Sequence, residues 1–325
     1  MKNVLLGLML IVCAETPMSL ASDAPTRIRP PPDVQLAIPS RTMSDEQFLR
    51  HQADGGTSVV LRGELRLPNW EPHLPVVILV HGSDGPDSGS VWAWRDRLDR
   101  QGFATFRLDS FTDRKIEELE TDQTRLGFLN AVYDVYRTVE ILAADSRIDR
   151  ARIVVMGFSR GGTAALYAAL ARFHGYYGPR DGRIAAYLPV YAGCGFGLLG
   201  ETELVDAPVR AFHGEADDWV PAQACRDFID RARAAGHDAT LTTFPGVRHA
   251  FDNPQAAPGA VVANAQTARN CRRQEVDGVI IDTDTGKPFS YRDACIERGP
   301  TVGYDKPAFE AALAEVGAFL AGLPR

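Results

Sequence analysis

The run Ile153-Val-Val-Met156 empties into Gly157-Phe158-Ser159-Arg160-Gly161, and the small-residue segment Gly162-Thr163-Ala-Ala follows at once. A short, β-branched apolar run suits a strand buried on both faces. The pentapeptide fits G-x-S-x-G, in which a serine on a sharp strand-to-helix turn lifts its hydroxyl clear of the sheet. The flanking glycines remove the Cβ atoms that would collide where strand and helix meet. A helix N-terminus also aims unpaired amides and positive partial charge at the turn. That combination suits a nucleophile, so Ser159 is the candidate around which partners are sought.

Ligands of open α/β sheets bind beyond the carboxyl ends of the strands, so the strand ends are where a base and its orienter belong. After the apolar run at Val209 comes Gly214-Glu215-Ala216-Asp217-Asp218-Trp219-Val220-Pro221, and after that at Ala239 comes Phe244-Pro245-Gly246-Val247-Arg248-His249. The order Ser159, Asp217, His249 is that of α/β-hydrolases. His249 would take the serine proton and return it to the leaving group, while Asp217 fixes the imidazole tautomer. Asp218 and Glu215 stand as rivals. The G-x-x-D-x-x-V-P spacing puts Asp217 on the turn leaving the strand and gives Asp218 the following helix cap. His213 lies inside its strand and reads as a core histidine; His81 reads as a brace of its own loop. The oxyanion of an acyl-transfer intermediate needs two amides, and the candidates are Arg160 N–H and that of Ser83 in the His81-Gly82-Ser83 turn.

These residues need a scaffold, and the chain supplies one. Apolar runs at 57–67, 76–80, 103–108, 153–156, 184–191, 209–213 and 239–244 read as strands. They alternate with helical spacing at 91–101, 126–144, 163–173, 222–235 and 307–320. This pattern predicts an α/β fold with a mostly parallel central sheet and helices on both faces. The 57–67 segment alternates in polarity and is expected to be an antiparallel edge strand. Residues 22–45 read as a Pro-rich leader and 46–325 as the domain, interrupted by a polar insertion at about 254–300. A structureless loop of that length is unusual in a compact domain. Gly195-Phe-Gly197-Leu-Leu-Gly200 matches G-x-G-x-x-G, but Pro208 and the next strand leave no room for the helix a dinucleotide site requires.

A net charge of −7 without a basic stripe argues against nucleic acid or an anionic membrane as partner. Residues 1–21 read as a signal peptide: Lys2, an apolar stretch from Val4 to Ala14 too short for a membrane span, and the small-x-small site Ser19-Leu20-Ala21. Val12 before Cys13 departs from a lipoprotein site. A secreted or periplasmic protein is therefore expected, in an oxidising compartment where the remaining cysteines, Cys194, Cys225, Cys271 and Cys295, form disulfides rather than a metal site. Cys271 and Cys295 share the insertion, whereas Cys194 and Cys225 follow neighbouring strands. The expected pairs are Cys194–Cys225 and Cys271–Cys295.

With these residues in place, the chain from about Thr57 to Leu323 resembles the dienelactone hydrolase family of α/β-hydrolases. The resemblance rests on His81-Gly82-Ser83, Asp109-Ser110-Phe111 with Arg114, the Gly157–Gly161 turn, the Gly214–Pro221 segment and His249-Ala-Phe-Asp252. It implies an eight-stranded-type sheet, esterase or lactonase chemistry and no cofactor. Two positions depart from the family's name-giving enzymes, which use a cysteine nucleophile and an arginine four residues after the histidine. This chain has Ser159 and Asn253 there. The expectation is thus a secreted serine hydrolase acting on a small-molecule ester or lactone, without cofactor or metal. A serine peptidase of the same fold and a catalytically idle binding module are the alternatives; oligomeric state is not encoded in any pattern found.

Overall fold

The structure, a computed structural model, describes residues 30–324. The signal-peptide reading of residues 1–21 lies outside the described residues. Eight strands form the central sheet: β1 (Val34–Thr42), β2 (Thr57–Arg66), β3 (Leu74–Val80), β4 (Ala104–Asp109), β5 (Ile148–Phe158), β6 (Ile184–Val190), β7 (Val209–Gly214) and β8 (Ala239–Phe244). Their spatial order is β1-β2-β4-β3-β5-β6-β7-β8, antiparallel across β1/β2 and β2/β4 and parallel from β4 to β8. Among the described residues seven α-helices accompany them: α1 (Asp45–Leu49), α2 (Gly89–Arg100), α3 (Asn130–Ala143), α4 (Arg160–Tyr167), α5 (Ala171–Tyr177), α6 (Ala222–Ala234) and α7 (Lys306–Ala321).

The period of two along β3 divides the core. Val76, Ile78 and Val80 join the core on the side of α3, α4, α5 and α6, whereas Val77 and Leu79 join the core on the side of α2 and α7. All five are at most 1% exposed, which is why the segment reads as one continuous apolar run. Each such side chain contributes about 1.5–3 kcal/mol by burial. On α3, Val132, Val135, Tyr136, Val139 and Leu142 recur at helical spacing and fill one side of this core.

The structure corrects two boundaries. Residues from Val34 onward are not leader but the edge strand β1, so β2 is interior to it. Ile38 and Ser40 point inward, and Pro39 occupies an edge position where a missing amide costs least. The helix expected over 163–173 breaks into α4 and α5, because Leu170 leaves the helix to bridge Leu204, with Ala171 N donating to Glu203 O. The insertion, as its length leads one to expect, has structure of its own, and its strand pairing runs on to Val302. It holds two short strand pairs (Ala260–Val261 with Thr301–Val302, Gln266–Thr267 with Glu297–Arg298) and a three-stranded sheet (Arg273–Val276, Val279–Asp282, Lys287–Pro288). Both expected disulfides are present, Cys194–Cys225 with Cα atoms 4.9 Å apart and Cys271–Cys295 with 5.2 Å.

Candidate active site

Ser159 sits between β5 and α4 with φ 52° and ψ −114°, a left-handed conformation that a non-glycine residue adopts only when its surroundings impose it. The glycines beside it are what make this turn possible. A Cβ on Gly157 would lie 2.0 Å from Gly161 O, and one on Gly161 would lie 2.1 Å from Val80 O. Helix α4 therefore packs directly on the ends of β5 and β3, with the Ser159 hydroxyl standing above them.

Three sequence-predicted side chains come together here. Ser159 Oγ lies 3.0 Å from His249 Nε2, and His249 Nδ1 lies 2.7 Å from Asp217 Oδ2. With Nδ1–H donating to the carboxylate, Nε2 is left free to accept the serine proton. Asp217 is fully engaged: Oδ1 accepts from Trp219 N at 3.0 Å and Val220 N at 2.8 Å. Burial pushes the Asp217 carboxyl up, but the charge of His249 and hydrogen bonds from His213 and His249 outweigh it, holding the group well below the usual carboxylate range. Burial pulls His249 down, yet Asp217, aided by Asp84 and Asp252, leaves it above an ordinary imidazole.

The rivals lie elsewhere. Glu215 accepts from Thr243 Oγ1 and is exposed. Asp218 does not cap α6, whose N-cap is Pro221 without a side-chain bond; instead it accepts from Thr301 N and Oγ1, both at 2.8 Å. His213 is buried as expected but is more than a core residue. Its Nε2 donates to Val220 O at 2.7 Å and lies 3.2 Å from Asp217 Oδ2, so it frames the acid. His81 does brace its loop: Nδ1 donates to Gly82 O at 2.8 Å and Nε2 accepts from Ser110 N at 3.2 Å. Burial pulls it below an ordinary imidazole.

Among the described residues, neither the Ser83 nor the Arg160 amide donates to another protein group, and both residues line a cavity together with Ser159. Gly82 runs so close that an added Cβ would sit 3.3 Å from Ser159 Cβ. Two cavities open on Ser159, divided by Ser83 and Trp219. The smaller, about 280 Å³, is acidic, with Asp84 and Glu120; the larger, about 520 Å³, carries Arg160, Phe128, Arg273 and Tyr291. Glu120 is pushed up to about 7 by burial and by neighbouring Asp84 and Glu118, against the pull of His249.

Sequence reasoning missed the supports. Tyr191, at φ 37°, lays its ring 4.6 Å from His249 and donates to buried Asp252 at 2.7 Å. Ser90 and Trp94 complete that carboxylate. The insertion and the strand that closes it hold the loops of the acid, the base and Gln123. Trp219 Nε1 donates to Gln266 O, Gln123 N donates to Gln266 Oε1, and Val302 bridges His249. Gly195–Gly200 receives the insertion instead of a nucleotide: at Gly197, φ 58°, a Cβ would meet Arg273 O at 2.7 Å. Among the described residues, no group of three or more His, Cys, Asp or Glu side chains could hold a metal ion.

The strand order and the helices on both faces are those of an α/β-hydrolase. The model of the dienelactone hydrolase family matches residues 61–276, and the chain belongs to that family. It is 26% identical over 224 residues to acyl-protein thioesterase 1 of Neurospora crassa, covering 59% of this chain and 86% of that protein. It is 29% identical over 131 residues to cutinase est2 of Thermobifida alba, covering 40% of each. Among solved structures, the fold matches a dienelactone hydrolase-like promiscuous phosphotriesterase from metagenomic libraries. The TM-score is 0.54 at 15% identity, over 89% of this chain and 98% of that one. The protein is thus a hydrolase of esterase type.

Proposed function

We propose that the protein is a serine hydrolase that cleaves a carboxylic ester or lactone through an acyl-enzyme, with Ser159 as nucleophile, His249 as base and Asp217 as its orienter. The observation that carries this reading is the continuous chain Asp217 Oδ2···Nδ1 His249 Nε2···Oγ Ser159 at 2.7 and 3.0 Å. Ser159 Oγ attacks the carbonyl carbon as its proton passes to His249 Nε2, and the carbonyl π pair moves onto oxygen. The amides of Ser83 and Arg160 receive that oxyanion. Collapse expels the alkoxide, which takes the proton from His249. Water then repeats the sequence on the acyl-enzyme, restoring Ser159 and releasing the acid.

Two disulfides fit an extracellular or periplasmic setting. With the signal-peptide reading of residues 1–21, they support secretion. Helix-sized membrane spans are absent among the described residues, and a soluble small-molecule ester suits cavities of about 280 and 520 Å³. The test is a panel of p-nitrophenyl esters of graded acyl length, γ- and δ-lactones, an acyl thioester and a peptide anilide. Hydrolysis of esters or lactones with the anilide untouched is the expected result. Preferential anilide cleavage would replace this reading with a peptidase, and inertness toward the whole panel would leave a binding module.

A further inference from the structure

We infer that the Ser83 hydroxyl is a third donor to the oxyanion, held ready for that role by Gln123 and Arg160; the inference rests on the reading of Ser159 as nucleophile. Ser83, Gln123 and Arg160 are all buried, at 5%, 6% and 4% exposure, and all line the larger of the two cavities that meet at Ser159, with Ser83 bordering both. Arg160 Nη1 donates to Gln123 Oε1 at 3.0 Å, and its Nη2 donates to Leu126 O. Its guanidinium also lies 4.0 Å over the Phe128 ring, and among the described residues it makes no ion pair.

An arginine has donors and no acceptor, so this contact settles which way the Gln123 amide faces. Oε1 turns to Arg160, and Nε2 turns to Ser83, donating to its Oγ at 2.9 Å. The Gln123 backbone is fixed separately by Gln266 Oε1 at 2.9 Å. Ser83 Oγ is thereby an acceptor toward Gln123 and must place its own hydrogen elsewhere. Among the described residues the one protein acceptor it meets is Gln123 Oε1 at 3.2 Å, a longer bond to an oxygen it shares with Arg160 at 3.0 Å. A full negative charge forming beside Ser159 is a far better acceptor. The hydroxyl thus has little to gain in the ground state and much in the transition state, which is the condition for raising kcat rather than lowering KM. Gln123 and Arg160 act through Ser83 and are positioning residues.

The experiment measures kcat and KM on p-nitrophenyl acetate, the labelling rate with a fluorophosphonate, and Tm. The proteins are the wild type, Ser83→Ala, Gln123→Glu and the double variant. Ser83→Ala keeps the backbone amide and is expected to lower kcat about 100-fold with KM nearly unchanged. Gln123→Glu is isosteric and pairs with Arg160, so its Tm should hold or rise. Its carboxylate captures the Ser83 hydrogen, and kcat should fall by a similar factor. Because both act through one hydroxyl, the double variant should be no slower than the slower single. Should Ser83→Ala fail to fold, Gln123→Glu alone decides. A folded Ser83→Ala or Gln123→Glu protein within threefold of wild-type kcat, or losses that multiply in the double variant, would overturn the inference alone. A wild type inert to ester and probe would overturn the nucleophile reading and this inference with it.

Discussion

Gly303 donates its amide to the carbonyl of His249 at 3.0 Å, and Val302 pairs with His249 as a parallel bridge. The proposed base therefore stands on a loop held from the far end of the insertion, some fifty residues later in the chain. The same insertion reaches the acid's loop through Trp219 and the proposed oxyanion loop through Gln123, by way of Gln266.

Opening the Cys271–Cys295 bridge should therefore cost activity as well as stability. It closes a separation of 24 residues, worth about 3 kcal/mol through the unfolded state. For Cys271→Ser/Cys295→Ser we expect a lower Tm and a reduced kcat at temperatures well below melting. Calorimetry and steady-state kinetics on one preparation check this. Wild-type kcat in a protein with lowered Tm would show that the insertion stabilises without positioning.

The pH profile follows from the charges around His249. The imidazole must be neutral to accept the serine proton, and Asp217, Asp84 and Asp252 together hold it above its ordinary value of 6.5 despite burial. The acid limb of kcat/KM should have its midpoint above 6.5. Asp84→Asn removes one of those charges and should move the limb to lower pH, as should Glu120→Gln, whose carboxyl faces the same cavity and titrates near 7. A limb that does not move in either variant contradicts this electrostatic account.

Glu120 also gives a stability prediction with a definite sign. Its carboxyl ionises near 7 when folded and near its ordinary 4.5 when unfolded. Between those values the unfolded chain sheds its proton first, so stability falls as pH rises and the penalty persists above 7. Glu120→Gln should match wild type below pH 4.5 and gain progressively to pH 7, by at most about 3 kcal/mol. Urea unfolding at pH 4, 6 and 8 measures it; a gain that shrinks with rising pH would be the wrong sign.

Much of this was legible in the sequence, because the signals were local. The strand, glycines and serine of 153–161 are consecutive, and each of the triad candidates follows its strand within a few residues. Asp218 shows where local reading failed. Its spacing resembled a cap, but its partner is Thr301, 83 residues away, and no pattern at that distance is visible in one chain. Strand β1 was hidden by Pro39 and the prolines just before it; an edge tolerates a proline that an interior strand does not. Gln123 and Tyr191 escaped because each works on another side chain rather than on substrate. His213 was placed in the core correctly, yet nothing in its surroundings of sequence announced Asp217 beside it.

The two carboxylates should separate cleanly. Asp217→Asn places an amide where His249 Nδ1–H needs an acceptor, upsetting the tautomer, and should lower kcat by about four orders of magnitude. Asp218→Asn keeps an acceptor for Thr301 and gives up only a part-exposed charge near Arg269, so kcat should stay within about threefold. The reverse ranking would move the role to Asp218.

The central claim is that Ser159 is the nucleophile, and covalent labelling tests it most directly. The purified protein is treated with a fluorophosphonate, and the adduct is located by intact mass and peptide mapping, alongside Ser159→Ala. The account predicts a single adduct on Ser159 in the wild type, and no adduct in the variant, which melts near the wild-type temperature and hydrolyses no ester. An adduct on another residue, or ester hydrolysis persisting in a folded Ser159→Ala protein, would contradict it.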